Sequence, residues 1–326
     1  MKAIRVNAFG GPDQLVLFDV PDPVPGPGEV VIDVEAAGVN PADTYMLTGN
    51  YVFRPDLPYT PGGDCAGVVS ATGPGVYGLN PGDRVFVSAG LSKIMSGAYA
   101  ERALHRMEDV LPIPDGIGFA EAVCFGVPYV TAHLALFARG RAARGETVFI
   151  HGASGAVGTA AIQLAREAGL TVIGSAGSAA GLALVEAEGA QLAVDHGSPG
   201  YLDRVRDATE GRGPDLIVEM LADVNLAADM DLVAHSGRIV IVGCRGEISI
   251  NPRVAMLKEI DIRGTAVWNA SRDSVAVALS EILAGAANGK IRPVVGQRFG
   301  LKQAADAHRA VLQPGAKGKV VLCPKG

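Results

Sequence analysis

Val148-Phe149-Ile150-His151-Gly152-Ala153-Ser154-Gly155-Ala156-Val157-Gly158 is the stretch whose reading decides the fold. An apolar run enters a G-x-x-G-x-x-G turn and leaves it as a helical pattern. Val157, Ala161, Leu164, Ala165 and Ala168 then recur on one face. Glycines in such a turn let the backbone approach a pyrophosphate that side chains would block. The helix behind it offers free N–H groups and the positive end of its dipole. A glycine motif alone is weak, but here strand, turn, helix and next strand follow in the required order. The stretch reads as a dinucleotide-binding turn.

Working outward, residues 171–175, 192–195, 216–219, 238–242 and 261–265 read as further short strands. Helical patterns at 179–188 and 201–209 lie between them. This alternation predicts an α/β domain with a doubly wound parallel sheet. Upstream, a helix is predicted at 121–138. Before it, short strands at 3–9, 30–36, 66–71 and 84–89 alternate with Pro/Gly clusters such as Pro21-Asp22-Pro23-Val24-Pro25-Gly26-Pro27-Gly28, which suggests a β-barrel or sandwich. Downstream come helices at 272–287 and 302–312 and a last strand at 319–322 with no sequence neighbour to pair with.

The composition agrees. The chain has 326 residues, net charge −6, 48% hydrophobic and 19% charged residues. That is enough for about two domains and too apolar for disorder. Its 43 glycines exceed the usual ~7% but show no collagen period. The acidic balance argues against a nucleic-acid partner. Cys65, Cys124, Cys244 and Cys323 lie far apart, which argues against a zinc ribbon or disulfide framework, and they read as small buried hydrophobes. The start, MKAIRVNAFGG, has no apolar signal-peptide core. The apolar stretch 122–138 is broken by Pro128 and His133 and reads as too short for a membrane span of about 20 residues. A cytoplasmic setting is expected.

An NAD site usually carries an acidic residue near the end of the second strand for the ribose 2′-hydroxyl. Here Ser175-Ala176-Gly177-Ser178-Ala179-Ala180-Gly181 has none, and the next carboxylate is Glu186. Nothing in that loop repels a 2′-phosphate, so NADPH is favoured over NADH. Arg245 or Lys317 could supply the positive charge.

Several stretches together resemble the zinc-independent quinone oxidoreductases of the medium-chain dehydrogenase/reductase superfamily, and within them the ζ-crystallin type. They are Phe9-Gly10-Gly11-Pro12, Gly38-Val39-Asn40-Pro41, Leu57-Pro58-Tyr59-Thr60-Pro61-Gly62, Gly82-Asp83-Arg84-Val85 and Val127-Pro128-Tyr129 with Thr131-Ala132. Glu219-Met220-Leu221-Ala222, Val224-Asn225-Leu226 and Ile250-Asn251-Pro252-Arg253 continue the likeness. The resemblance implies a GroES-like β-barrel catalytic domain, 1–122 and 266–326, around an inserted Rossmann NADP-binding domain, 123–265. The cofactor would lie in the cleft between them. Zinc-dependent relatives carry a cysteine where this chain has Asn40 and Gly-His-Glu where it has Gly63-Asp64-Cys65, so no metal is expected.

The same resemblance implies roles for individual residues. Ser154, Gly155, Ala156 and Val157 would hold the pyrophosphate. Gly177 and His196 would line the adenosine-ribose side, with Asn225 near it. Val242, Gly243, Cys244 and Arg245, then Thr265, Ala266 and Val267, would run along the cofactor. Thr131 would contact its nicotinamide end and Tyr45 would lie beside the nicotinamide. Asn40, Tyr51 and Tyr129 would surround the substrate. Plainer readings stand beside these. Asn40 before Pro41 can cap a helix, Tyr45 can be a half-buried aromatic, Tyr51 can pack a loop, and Arg245 can be a solvated charge. His151 at the end of a core strand reads as structural.

The expected function is NADPH-dependent reduction of quinones, with hydride and single-electron transfer both open. An enone, alkenal or acryloyl-type reductase is the alternative, and an RNA-binding or structural role ranks lower. A quinone needs proximity and modest hydrogen bonding, whereas alcohol oxidation needs a base or metal. A homodimer or homotetramer is expected, paired along 261–265.

Overall fold

The computed structural model describes residues 1–315 and 317–325. It divides into two compact units, Met1–Val127 with the chain from Arg272 onward, and Pro128–Ser271. In chain order the first unit begins with β1 (Lys2–Arg5), β2 (Val16–Asp19), β3 (Glu29–Val39), β4 (Cys65–Thr72), β5 (Arg84–Val87), β6 (Arg102–Arg106) and β7 (Val110–Pro112). The second unit holds β8 (Thr147–Ile150), β9 (Thr171–Ala176), β10 (Leu192–Asp195), β11 (Leu216–Glu219), β12 (Arg238–Ile241) and β13 (Asp261–Gly264). The chain then returns to the first unit for β14 (Val295–Gly300) and β15 (Lys319–Cys323).

Among the described residues, β3 is the longest strand of the first unit and organises its large sheet, in the order β14-β15-β3-β4-β5-β7 with β6 also on β3. Alternation along β3 buries Val30, Ile32 and Val34 in a core shared with Val69, Val85, Tyr99 and Leu322. The last strand finds its partner here: Val320, Val321 and Leu322 lie opposite Val39, Gly38 and Ala37. Each fully buried Val or Leu stabilises by roughly 1.5–3 kcal/mol, so closing the sheet with the far end of the chain is strongly favoured.

In the second unit the order is β10-β9-β8-β11-β12-β13, all parallel. Strand order reverses between β8 and β11, the place where open α/β sheets bind ligands beyond their carboxyl ends. Phe149, Ile173, Val194, Ile217 and Ile239 pack one face against Leu226 and Met230. These strands are apolar on both faces, as a sheet covered by helices requires. The structure thus bears out the GroES-like and Rossmann-type α/β fold class.

Four features depart from the sequence reading. The helix predicted at 121–138 is segmented into Phe119–Ala122, Phe125–Tyr129, Val130–His133 and Leu134–Arg139, with Gly126 at φ −63°, ψ −118°. Pro128 has no N–H to donate, and a side chain at Gly126 would collide with the Asp64 carboxylate. The whole stretch Phe119–Arg139 spans 21 residues, long and apolar enough to cross a bilayer, which corrects the shorter reading. With 89% of its most apolar window buried among other elements, it is a core segment. Strands β2, β6, β7 and β14 were not visible in the sequence, because short strands with polar positions carry no hydrophobic run. Of the cysteines, Cys65 and Cys124 are buried, but Cys244 is exposed and Cys323 only half-buried.

Candidate functional site

In the second unit the three glycines of the turn after β8 do three different jobs. Gly152 has φ +55°, a left-handed conformation that strains other residues. A Cβ on Gly158 would stand 2.5 Å from Ala153 Cα, so this glycine lets helix and turn pack closely. A Cβ on Gly155 would meet only the Gly152 carbonyl, at 3.4 Å. Protein packing does not demand glycine there; the missing side chain leaves a cradle at the start of the helix Ala156–Glu167, whose N-cap is unassisted by any side chain. The donor-rich, open helix end fits a pyrophosphate. Ala153 N–H donates to the Ser175 carbonyl at 2.7 Å and Gly152 N–H to Ser175 Oγ at 3.3 Å, which binds the turn to β9.

The other sequence-predicted cofactor residues of this unit, except Thr131, gather along the same edge. Gly177 follows β9 and His196 follows β10; a Cβ on Gly177 would fall 2.5 Å from His196 Nε2. Ser178 caps the helix Ala179–Ala187 by accepting from Gly181 N–H at 3.1 Å. Val242, Gly243, Cys244 and Arg245 follow β12, and Thr265, Ala266 and Val267 follow β13. Arg245 is exposed, with its N–H held by Asp223 Oδ1 at 2.8 Å. Asn225 sits in the first turns of the helix Ala222–Leu232, and its Nδ2 donates to Glu219 Oε1 at 3.1 Å. Thr131 lies elsewhere, buried in the short helix Val130–His133. Tyr129 is 1% exposed and its hydroxyl donates to Gln163 Oε1 at 2.7 Å.

In the first unit, Asn40 ends β3 and precedes the helix Pro41–Leu47, whose Pro41 opens the first turn. Asp43 accepts the Asn40 backbone N–H at 2.8 Å. The Asn40 side chain is engaged at both ends: Oδ1 accepts from the Lys319 ammonium, and Nδ2 donates to Asp64 Oδ2 at 3.1 Å. Asp64 also accepts the N–H groups of Ala89 and Val127. Asp43 accepts from the Tyr99 hydroxyl at 3.2 Å, and burial raises its carboxyl to about 7. Burial also lowers the Lys319 ammonium, against the pull of Asp64, Cys124 and Asp43. Tyr45 is half-buried on this helix, with Tyr51 beside it at 5.9 Å between ring centroids.

This donor set does not fit zinc. The position of a cysteine ligand in zinc-dependent relatives carries an uncharged amide already bonded to an ammonium. The Cys65 thiol is pushed up to about 12 by burial and lies 3.6 Å from His105 Nε2. An occupied amide, a carboxylate held by three N–H donors and a protonated thiol do not make a tetrahedral zinc array.

Two features of this chemistry were not read from the sequence. Lys319 lies in a strand recognised only for its apolar residues. Glu219 and Asp229 form a buried cluster with His151, the one grouping of three possible metal ligands among the described residues. A carboxylate ending the apolar run Leu216-Ile217-Val218 was the available signal for Glu219. His151 is 3% exposed and hydrogen-bonded, in keeping with a structural role.

Comparison with known proteins agrees with this architecture. The alcohol dehydrogenase GroES-like domain family matches residues 26–115, and the zinc-binding dehydrogenase family matches residues 156–284. A quinone oxidoreductase from Rattus norvegicus is 42% identical over 99% of this chain and 97% of its own length. The solved quinone oxidoreductase from Thermus thermophilus, studied also in complex with NADPH, is 35% identical with a TM-score of 0.86 over 99% of this chain and 100% of that one. An NAD-dependent alcohol dehydrogenase structure has a TM-score of 0.92 at 32% identity, covering 99% of each chain. With a parallel-sheet unit carrying an open glycine turn at a helix start, a GroES-like unit closed by the last strand, and 42% identity to such a relative over nearly the full length of both, the chain belongs to the quinone oxidoreductase family of medium-chain dehydrogenases/reductases.

Proposed function

We propose that this chain is an NADPH-dependent oxidoreductase that reduces quinones without a metal. The observation that carries the reading is the open cradle at Gly155, set at the start of the helix Ala156–Glu167 beside the β8/β11 switch point. Bound NADPH supplies reducing equivalents from its nicotinamide ring. The chain's own residues bind and orient. Ser154, Gly155, Ala156 and Val157 offer their turn to the pyrophosphate, and Gly177 and His196 flank the adenosine ribose. Val242–Arg245 and Thr265–Val267 extend the support along the strand ends. Thr131 contributes at the nicotinamide end.

NADPH over NADH rests on the strand β9 end, where Ala176-Gly177-Ser178 presents no carboxylate. For the substrate, Tyr45 supplies a phenolic donor to a carbonyl oxygen and Tyr51 shapes the mouth of the pocket. Asn40, in the first unit, has its polar ends engaged by Lys319 and Asp64, and Tyr129, in the second, has its hydroxyl engaged by Gln163. A quinone suits such a site. Its reduced oxygens hold negative charge with little help, whereas an alcohol must lose a hydroxyl proton to a base or metal. The exposed edge strand β13 suits pairing with a second copy of the chain.

The test is NADPH oxidation by ortho- and para-quinones compared with α,β-unsaturated carbonyls. Quinones are expected to turn over faster. Faster turnover of the enones would replace this reading with an enone reductase, and salt-dependent RNA binding without any turnover would replace it with a binding role.

A further inference from the structure

Two carboxyls and an imidazole are buried together under the rim of the dinucleotide cradle. Glu219 and Asp229 are 0% exposed and His151 is 3% exposed. His151 Nε2 lies 2.8 Å from Asp229 Oδ1 and 3.3 Å from Glu219 Oε2. His151 is the residue before the cradle turn, Glu219 ends the neighbouring strand β11, and Asp229 lies in the helix that follows it. The cluster therefore sits at the switch point of the sheet, where β8 and β11 run side by side.

Two oxygens of the cluster are left over, and the cluster's three possible ligand atoms lie within 4.8 Å of one another. Glu219 Oε2 and Asp229 Oδ2 have no donor partner when both acids are ionised. One proton between them gives each a partner, with Glu219 as donor and Asp229 as acceptor. Burial favours that arrangement by raising both carboxyls to about 7. His151, its charged form disfavoured by burial, completes the set by donating to Asp229 as a neutral ring. His196 and Tyr201 are the other titratable groups facing the cluster.

The opposite end of Glu219 faces the rim. Its Oε1 accepts the Leu221 N–H and the Asn225 Nδ2–H, the latter at 3.1 Å. Its backbone carbonyl accepts the N–H groups of Val242 at 2.8 Å and Gly243 at 3.3 Å. A side chain on Gly243 would collide with the Met220 carbonyl, and Met220 itself lies 3.8 Å from the Cβ position of Gly152. One acid thus ties together the turns after β8, β11 and β12. With Nδ2 held, Asn225 has a single unassigned function, its Oδ1, which has no protein partner among the described residues. That atom can only accept. Phosphates have no hydrogen to offer it, whereas a sugar hydroxyl or a base amine does.

We propose that Glu219 is a positioning residue for the dinucleotide: it fixes the Asn225 amide so that Oδ1 accepts a hydrogen bond from a sugar hydroxyl or base amine of the cofactor. The inference rests on the nicotinamide-dinucleotide reading of this site. The experiment measures Kd for NADPH by fluorescence, kcat and KM with a saturating quinone, and Tm. It uses the full chain and its Glu219→Ala, Glu219→Gln, Asn225→Ala and Glu219→Ala/Asn225→Ala forms. Losing one such hydrogen bond corresponds to about a tenfold change in affinity. Each Ala variant is expected to raise Kd and KM for NADPH about tenfold, with kcat at saturating cofactor within threefold, and the double variant to lose no more than either single one. Glu219→Gln, which reproduces the protonated acid, is expected to stay within twofold of the parent. Parent-like Kd in Glu219→Ala, or losses that multiply in the double variant, overturns the proposal. If Glu219→Ala does not fold, parent-like Kd in Asn225→Ala overturns it equally. A parent chain that binds no NADPH overturns the site reading and the inference with it, whereas normal parent binding with unmoved variants overturns the inference alone.

Discussion

Lys319, on the last strand, donates its ammonium to the side-chain carbonyl of Asn40, 279 residues earlier in the chain, with both residues at most 2% exposed. Asn40 passes the interaction on to Asp64, so a positive and a negative charge are buried at either end of one neutral amide. Removing one partner of such an arrangement leaves the other without compensation. Lys319→Met is expected to destabilise the fold by about 3–5 kcal/mol. Adding Asp64→Asn should recover part of that loss, because the two substitutions are coupled. Urea unfolding of the four proteins of this cycle is the measurement, and strict additivity would show that the two charges do not communicate.

Gly155 and Gly158 should respond oppositely to a single methyl group. At Gly158 the added Cβ stands 2.5 Å from backbone, whereas at Gly155 its nearest neighbour is 3.4 Å away. Gly158→Ala is expected to lower Tm by several degrees, about 1–3 kcal/mol of overpacking. Gly155→Ala should keep the parent Tm and weaken NADPH binding at least tenfold, since it fills the cradle. Thermal unfolding paired with titration of NADPH distinguishes them.

Ser178 offers a test of cofactor preference. Its hydroxyl caps a helix by accepting from Gly181 N–H at 3.1 Å, a task a carboxylate performs as well. Ser178→Asp should therefore leave Tm unchanged while restoring the acidic residue that NAD sites carry near this strand end. The expected outcome is a loss of NADPH affinity of about tenfold or more with NADH affinity retained or improved. Equal weakening of both cofactors would place the 2′-phosphate elsewhere.

His308 should shape the acid side of stability. Burial lowers its imidazole to about 4, and its Nε2 meets the Tyr99 hydroxyl at 3.2 Å. The unfolded chain then binds more protons than the folded one between about pH 4 and pH 6.5. Stability is complete above about pH 6.5 and is lost as pH falls toward 4. At pH 5 this one group costs about 2 kcal/mol relative to pH 7. Asp43, Glu219 and Asp229 act in the opposite sense: raised to about 7, they stabilise the fold most at acid pH and lose that contribution as pH rises to 7. A His308→Gln variant should accordingly be more damaging at pH 7 than at pH 5, by about 2 kcal/mol in urea unfolding. An equal penalty at both values would mean that the histidine binds its proton as readily in the folded protein as in the unfolded chain.

Local periodicity and glycine placement made much of this protein legible from sequence. The Gly152-to-Gly158 turn, the helix behind it and the alternation of apolar strands with helices were enough for the parallel sheet and its carboxyl edge. Each is a short-range pattern: about 3.6 residues per helical turn, a run of β-branched residues, a turn needing a left-handed conformation. The resemblance of scattered motifs added the GroES-like unit and the return of the last strand to it. Tertiary structure alone decided how polar groups pair across the fold. Lys319 meets Asn40 from the opposite end of the chain, and Glu219, Asp229 and His151 converge from three elements. A buried charge has no period and its partner lies at no fixed spacing, so nothing in the chain announces either. Polar edge strands such as β14 were silent for a related reason, since backbone hydrogen bonds, which nearly every residue can make, hold them in place. The chain's own letters thus decided where the glycine turn opens a helix at the edge of the sheet, and only its folding decided which buried acids and amides stand beneath that turn.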